Sequence, residues 1–260
     1  MIIEWLQYIL AGAGVGLLVG LTGVGGGSLM TPLLLMFGVP AHTAIGTDLL
    51  YAALTKSSGA IGHHIKRHVN WKITATLAAG SLPASLITIF ILQNFFQQPD
   101  DYRKLLTSSL GIMLVITAAV LLLKNHLSPK YTTESRAGLA LQKHATPWTF
   151  VMGIVLGVFV TLSSVGAGAF GAAILLILYP RLSAIKIIGT DVAHAVPLTL
   201  IAGLGHFYLG NVDFKLLTAL LIGSVPAIHL GIHFAHRLPD KIMQPILATV
   251  LLLLGLKYIF

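Results

Sequence analysis

Ala44-Ile45-Gly46-Thr47-Asp48 and, 143 residues further on, Ile187-Ile188-Gly189-Thr190-Asp191 are two versions of one short passage. The same spacing carries Gly62-His63 onto Gly205-His206 and Val69-Asn70-Trp71-Lys72 onto Val212-Asp213-Phe214-Lys215. It also carries Gly80-Ser81-Leu82-Pro83 onto Gly223-Ser224-Val225-Pro226. Glycine-rich passages upstream match at a spacing of 141, Gly25 and Gly27 against Gly166 and Gly168. So many matches in register mark an internal duplication.

The duplicated unit is built for lipid. Of 260 residues, 56% are hydrophobic and 9% are Asp, Glu, Lys or Arg, against roughly 25% charged residues in an average soluble protein. Apolar stretches near the ~20 residues that span a bilayer recur along the chain. The first tract, 8–39, is broken at Gly23-Val24-Gly25-Gly26-Gly27, and helices are expected at 41–65, 73–92 and 105–123. A polar passage, 124–146, follows. Then the pattern repeats: a tract at 147–178 broken at Ser163-Ser164-Val165-Gly166-Ala167-Gly168, and helices at 184–209, 214–235 and 242–260. The expected fold is an all-α polytopic membrane protein. Its two inverted repeats, 1–123 and 147–260, flank a cytoplasmic linker, 124–146. Each contributes a broken, re-entrant helical hairpin and three transmembrane helices. The start of the chain reads as the first membrane element and not as a removed signal.

Charge orients this arrangement. If each broken tract enters and returns on one side as a pair of half-helices, the halves are inverted. With both termini outside, eleven basic residues lie inside, including Lys66, Arg67, Lys72, Lys143 and Arg181, and four lie outside, Arg103, Lys104, Lys215 and Lys257. Full crossings by the broken tracts would give nine against six. The positive-inside rule favours the hairpins and also accounts for the net charge of +8. Nucleic acid is excluded as a partner, since no aromatic-basic interleaving or zinc-finger spacing occurs. The chain has no cysteine, which removes disulfides, thiolate metal sites and dithiol chemistry. No cofactor motif is present, and no module for an obligate protein partner is recognisable.

Broken hydrophobic segments at matching positions of two halves point to a transporter site. Unwound backbone in a bilayer is tolerated only against protein or a cavity. A half-helix starting near Ser28 would aim free amides and its positive end inward, a place for an anion; a second, near Ala167, brings Ser163 and Ser164. The alternative for these glycines is close helix packing by small residues. The run lacks the Gly-Lys-Ser/Thr ending of a nucleotide loop.

Asp48 and Asp191 are the two acidic residues placed deep in apolar segments. A carboxylate there is costly unless paired, hydrated or protonated. It is either a proton relay and shaper of the cavity, or a cap on local backbone amides at a helix start. Lys56 lies two turns after Asp48 on the same helical face and maps onto Thr199. It either attracts an anion or forms a structural ion pair. His194, one turn after Asp191, is a candidate proton carrier or anion ligand. His229, His233 and His236 contain an i, i+4 pair but no local carboxylate or thiolate, so no metal site is assigned.

The run Gly23-Val24-Gly25-Gly26-Gly27-Ser28, then Pro32, then Ala44-Ile45-Gly46-Thr47-Asp48, resembles the sulfite exporter TauE/SafE family of membrane permeases. Ser163 to Gly168 with Ile188-Gly189-Thr190-Asp191 is similar to that family's second repeat, so the resemblance covers nearly the whole chain. It implies a bacterial-type inner-membrane carrier of sulfite, thiosulfate, organosulfonates or other small anions, with a proton gradient used by some members. The family signatures fall on Gly25, Gly26, Gly27, Thr47, Asp48, Gly166, Gly168, Thr190 and Asp191. Ala167 replaces the middle glycine of the second run, which makes the two sides unequal. The expected site therefore comprises Gly25, Gly26, Gly27, Ser28, Thr47, Ser163, Ser164, Gly166, Gly168 and Thr190 around the substrate. Asp48, Lys56, Asp191 and His194 are expected to couple a proton or shape the cavity. The partners are a small anion and the lipid bilayer. The alternatives are a passive anion channel or uniporter, or a permease for another small organic anion.

Overall fold

The structure, a computed structural model, describes residues 2–22, 27–96, 98–123, 142–234 and 240–259. Among these the chain is helical, without strands. The elements are α1 (Ile2–Thr22), α2 (Gly27–Met36), α3 (Ala41–Ile65), α4 (Trp71–Phe95), a 3-10 turn (Pro99–Tyr102) and α5 (Arg103–Leu123). The second half holds α6 (Ala145–Ser163), α7 (Ala169–Leu178), α8 (Ala184–Tyr208), α9 (Phe214–Phe234) and α10 (Asp240–Ile259). Residues 124–141, most of the expected linker, lie outside the described residues, as do Gly23 to Gly26 in the first break.

Both expected breaks separate helices, but their arms are unequal. α1 and α6 have 21 and 19 residues, α2 and α7 ten each. At 1.5 Å per residue the long arms reach about 30 Å and the short ones about 15 Å. Each expected pair of half-helices is thus a long helix followed by a half-length one.

α4, α5, α6, α8 and α9 are long and apolar enough to cross a bilayer. Their outward faces carry side chains such as Ile87 and Phe90, 58% and 60% exposed, the pattern of a surface solvated by acyl chains. The chain is a multi-pass membrane protein. α3 is equally long but carries Thr47, Asp48, Lys56, His63 and His64. Its first half tolerates Thr47 and Asp48 because it is enclosed: every residue from Ala44 to Ala53 is buried. A run of ten covers all sides of a helix, so this stretch of α3 is wrapped by protein, while His64 and Ile65 at its end are exposed.

Glycines set the helix packing. Gly12 and Gly16 of α1 lie against the backbone of Leu220 and Ser224 in α9, and Gly223 returns the contact to Ile9. In the other half Gly153 and Gly157 of α6 lie against Leu77 and Ser81 in α4, and Gly80 returns the contact to Phe150. These are the same contacts moved by 141 and 143 residues. Both pairs run parallel, since residue numbers rise together. Each joins the long helix before the break of one half to a helix of the other, and small residues at a spacing of four permit this closeness in lipid. α3 and α8 instead run antiparallel, with Gly46 against His206, Leu50 against Gly203 and His63 against Gly189. α5 and α10 are antiparallel too, Gly111 meeting Gly255 and Ile259, and Val115 meeting Gly255.

A methyl group on Gly16 would stand 2.6 Å from the Ser224 carbonyl oxygen, whereas one on Gly14 would meet nothing within 4 Å. Gly16→Leu is expected to destabilise the protein by roughly 1–3 kcal/mol, and Gly14→Ala to leave the melting temperature in detergent within a degree or two of wild type. Thermal unfolding followed by tryptophan fluorescence checks both.

Candidate functional site

The second break gathers the buried charges. α6 ends at Ser163, whose hydroxyl donates to the Phe159 carbonyl (2.6 Å) and accepts from the Val165 amide (3.2 Å). Ser163 therefore shapes the turn. Ser164 follows in the left-handed region, φ 59°, with its amide held by the Val160 carbonyl. Gly166 and Gly168, at φ 126° and 140°, occupy backbone that L side chains rarely adopt, which explains glycine at both positions. Ala167, between them, presents its carbonyl to Lys56.

Three charged side chains meet this turn. Lys56 is buried and donates from Nζ to the Ala167 carbonyl, 3.0 Å away. Asp191 faces the Gly168 amide and seats its carboxylate on Gly171, where a Cβ would collide with Oδ1. Asp48 accepts from the Thr31 hydroxyl at 2.5 Å and lies beside the Ser164 side chain. Both carboxylates are within electrostatic reach of Lys56. Asp48 Oδ1, Asp191 Oδ1 and Ser164 Oγ are buried without a hydrogen-bond partner in good geometry, so the cluster retains acceptor and donor capacity.

The local-cap reading of the two aspartates does not hold. Each is the eighth residue of its helix, since α3 begins at Ala41 after Pro40 and α8 at Ala184 after Ser183. Asp191 instead meets the first turn of the short helix α7, and Asp48 meets Thr31 in the short helix α2. At α7 the positive helix end expected to attract an anion thus already faces the carboxylate of Asp191.

Thr47 and Thr190, expected as substrate contacts, use their hydroxyls to hold backbone amides. Thr47 Oγ1 accepts from the Asp213 amide at 3.1 Å, and Thr190 Oγ1 from the Asn70 amide at 2.9 Å. Thr190 also donates to Lys186 O at 2.6 Å. Each hydroxyl ties its helix to the helix-start turn of the opposite half. His194 is fully buried, and its Nε2 lies 2.8 Å from Ser81 Oγ. Gly27 and Ser28 open α2; Gly25 and Gly26 lie outside the described residues. His229 Nδ1 lies 2.8 Å from the Val225 carbonyl of its own helix, and His236 lies outside the described residues.

Residue reasoning missed Thr31, Tyr51, Gly171 and the role of Ser81 and Ser224. Tyr51 is buried, faces Ser224, and is the repeat mate of His194 as Ser224 is of Ser81. The spacing of 143 contained that signal.

This geometry has the marks of the resemblance drawn from the glycine runs, and comparison with known proteins decides it. The family described as "Sulfite exporter TauE/SafE" matches residues 8–258. The chain belongs to the TauE/SafE family. Among curated relatives of this TauE/SafE member, the "Probable membrane transporter protein YjnA" of Bacillus subtilis is 36% identical over 98% of this chain and 99% of its own. YdhB of the same organism, also a "Probable membrane transporter protein", is 28% identical over 94% and 96% of the two chains. The similarly named MJ0441 of Methanocaldococcus jannaschii is 27% identical over 95% and 92%. No solved structure matches. The family and these relatives are transporters, not enzymes.

The threonine ties generate a prediction. Thr47→Val and Thr190→Val each remove one acceptor from a partly buried amide and are expected to cost about 1 kcal/mol, with Thr→Ser at either position close to neutral. Melting curves of the purified variants read the difference.

Proposed function

We propose that this protein is a secondary carrier, working as exporter or permease, for a small sulfur-containing anion such as sulfite or an organosulfonate, and that a proton moves with the anion. The observation carrying the reading is the meeting of Asp48, Asp191 and Lys56 at the second break. Fully ionised, the three sum to one negative charge. A second uncompensated negative charge about 4 Å away costs about 4 kcal/mol at an effective dielectric near 20. Protonating one carboxylate as the anion arrives removes that increment. It also frees the half-helix amides and Lys56 to face the substrate. Ser164 and the amides around Gly168 are the proposed contacts. Ser28 and Gly25 to Gly27 are proposed as further substrate contacts. Ser163, Thr47, Thr190 and Gly166 hold the frame, while His194 and Ser81 adjoin it.

The proposed architecture is two inverted repeats, 1–123 and 147–260, around a cytoplasmic linker, 124–146. Inversion is supported by the antiparallel pairs α3–α8 and α5–α10, because a helix and its mate point oppositely across an axis lying in the membrane plane. Short turns reverse the chain between α8 and α9, so α9 shares the direction of α3. α1, parallel to α9, shares it too. The ten-residue α2 is then a return leg, and each hairpin closes on the side it entered. The distribution of basic residues favours both termini outside, in a bacterial inner membrane. Alternating exposure would come from one half rocking against the other about the threonine ties.

Purified protein in liposomes is expected to show saturable sulfite flux that rises when a proton gradient points the same way. Asp48→Asn or Asp191→Asn should abolish that dependence, leaving flux at least tenfold less responsive to imposed pH. Saturable flux indifferent to the gradient in wild type identifies a uniporter and ends the coupling proposal. No sulfite flux from folded protein removes sulfite and directs the assay to sulfonates and thiosulfate.

A further inference from the structure

A second concentration of positive charge lies away from the buried cluster. A cavity of about 550 Å³ opens between the start of α4, the segment leading into α6 and the end of α7. Its wall carries Lys72, Lys143 and Arg181, with Asn70 and Gln142 beside them, and no acidic side chain among the described residues. Gln142 Nε2 is buried without a hydrogen-bond partner, which adds an amide donor to three cations. Ile73, Leu178 and Leu182 give the cavity an apolar side.

Its depth in the membrane can be read from its neighbours. Trp71 directly precedes Lys72, and Trp148 lies two residues after Thr146, another wall residue; they are 55% and 48% exposed. Exposed tryptophans in a membrane protein settle at the level of the headgroups. The three cations are therefore held where lipid phosphates lie, next to an apolar wall suited to the first carbons of an acyl chain. Basic pockets between membrane helices are the usual receptors for such headgroups. The opposite face has a cavity of about 570 Å³ with Arg103, Lys104 and Lys257, but it has no flanking tryptophan.

We propose that the cavity at the base of the α6–α7 hairpin binds a phosphate oxyanion, supplied in the membrane by the headgroup of an anionic phospholipid. Bound there, the lipid neutralises the clustered cations and pins the long hairpin arm to α4. The Asn70 amide at this edge is also the group that Thr190 accepts from, so the lipid site adjoins one of the two ties between the halves. The proposal does not depend on the identity of the transported anion.

The test uses the delipidated full chain in neutral detergent, with short-chain phosphatidylglycerol, short-chain phosphatidylcholine and sodium phosphate as probes. Native mass spectrometry reads bound lipid, and thermal unfolding reads stabilisation by each probe. Phosphatidylglycerol is expected to remain bound and raise the melting temperature, while phosphatidylcholine does neither. Lys72→Gln and Arg181→Gln should weaken phosphatidylglycerol roughly fivefold for each charge removed; Lys104→Gln, on the other face, should not. Both cavity side chains are exposed, so these variants should melt like wild type without lipid. Free phosphate stabilising with the same sensitivity to the variants supports the oxyanion site and assigns it to soluble ions. Equal binding of both lipids, or phosphatidylglycerol binding untouched by the two cavity variants, overturns the proposal.

Discussion

The structure depends on how one turn of unwound chain, Ser164 to Gly168, accommodates three buried charges. Its serine lies beside Asp48, its Ala167 carbonyl holds Lys56, and its last amide faces Asp191. A carboxylate or ammonium inside a bilayer persists only when it is paired, hydrated or useful. The five-residue turn reaches all three groups because two of its positions are glycines in backbone that other residues avoid. Lys56 has no duplicate, its repeat position being filled by Thr199, whose hydroxyl turns back to its own helix. A symmetric frame therefore holds an asymmetric charge set.

That frame comes from contacts made twice. The glycine seams α1–α9 and α4–α6 and the threonine ties Thr47–Asp213 and Thr190–Asn70 each repeat across the halves. All of them cross from one half to the other. Neither half buries its own polar helix alone; α3 is enclosed because α8, α9 and α2 close around it. Tyr102, Asn211 and His206 add a buried chain of hydrogen bonds ending at the Thr161 carbonyl, which fixes the start of α5 against α8 and α6.

The elements of this fold were legible where the signal is local. Apolar length, the glycine runs and the duplicated Gly-Thr-Asp point to the helices and to the second break, and the position of α7 just after Gly168 follows from them. Partners far along the chain were not legible. Asp48 reads either as a relay and cavity group or as a local cap, because Gly-Thr-Asp looks like a helix start, yet the helix begins seven residues earlier at Ala41 and the carboxylate turns to Thr31. Thr47 and Thr190 carry the family signature, but the amides they hold, Asp213 and Asn70, lie in the opposite half, more than a hundred residues away, and no local pattern points to them. Tyr51 was hidden by chemistry: a tyrosine mapping onto a histidine does not look like a repeat until both are seen against equivalent serines.

Voltage dependence tests the shared charge cluster most directly. Liposomes containing the protein, with a potassium gradient and valinomycin to set the membrane potential at equal pH on both sides, are given a singly charged sulfonate that the carrier accepts. If one proton accompanies each anion, no net charge crosses, and the flux stays the same at either polarity while responding to a pH gradient alone. Flux that follows the imposed potential and ignores pH would mean that Asp48 and Asp191 keep their charge state throughout transport, contradicting the account.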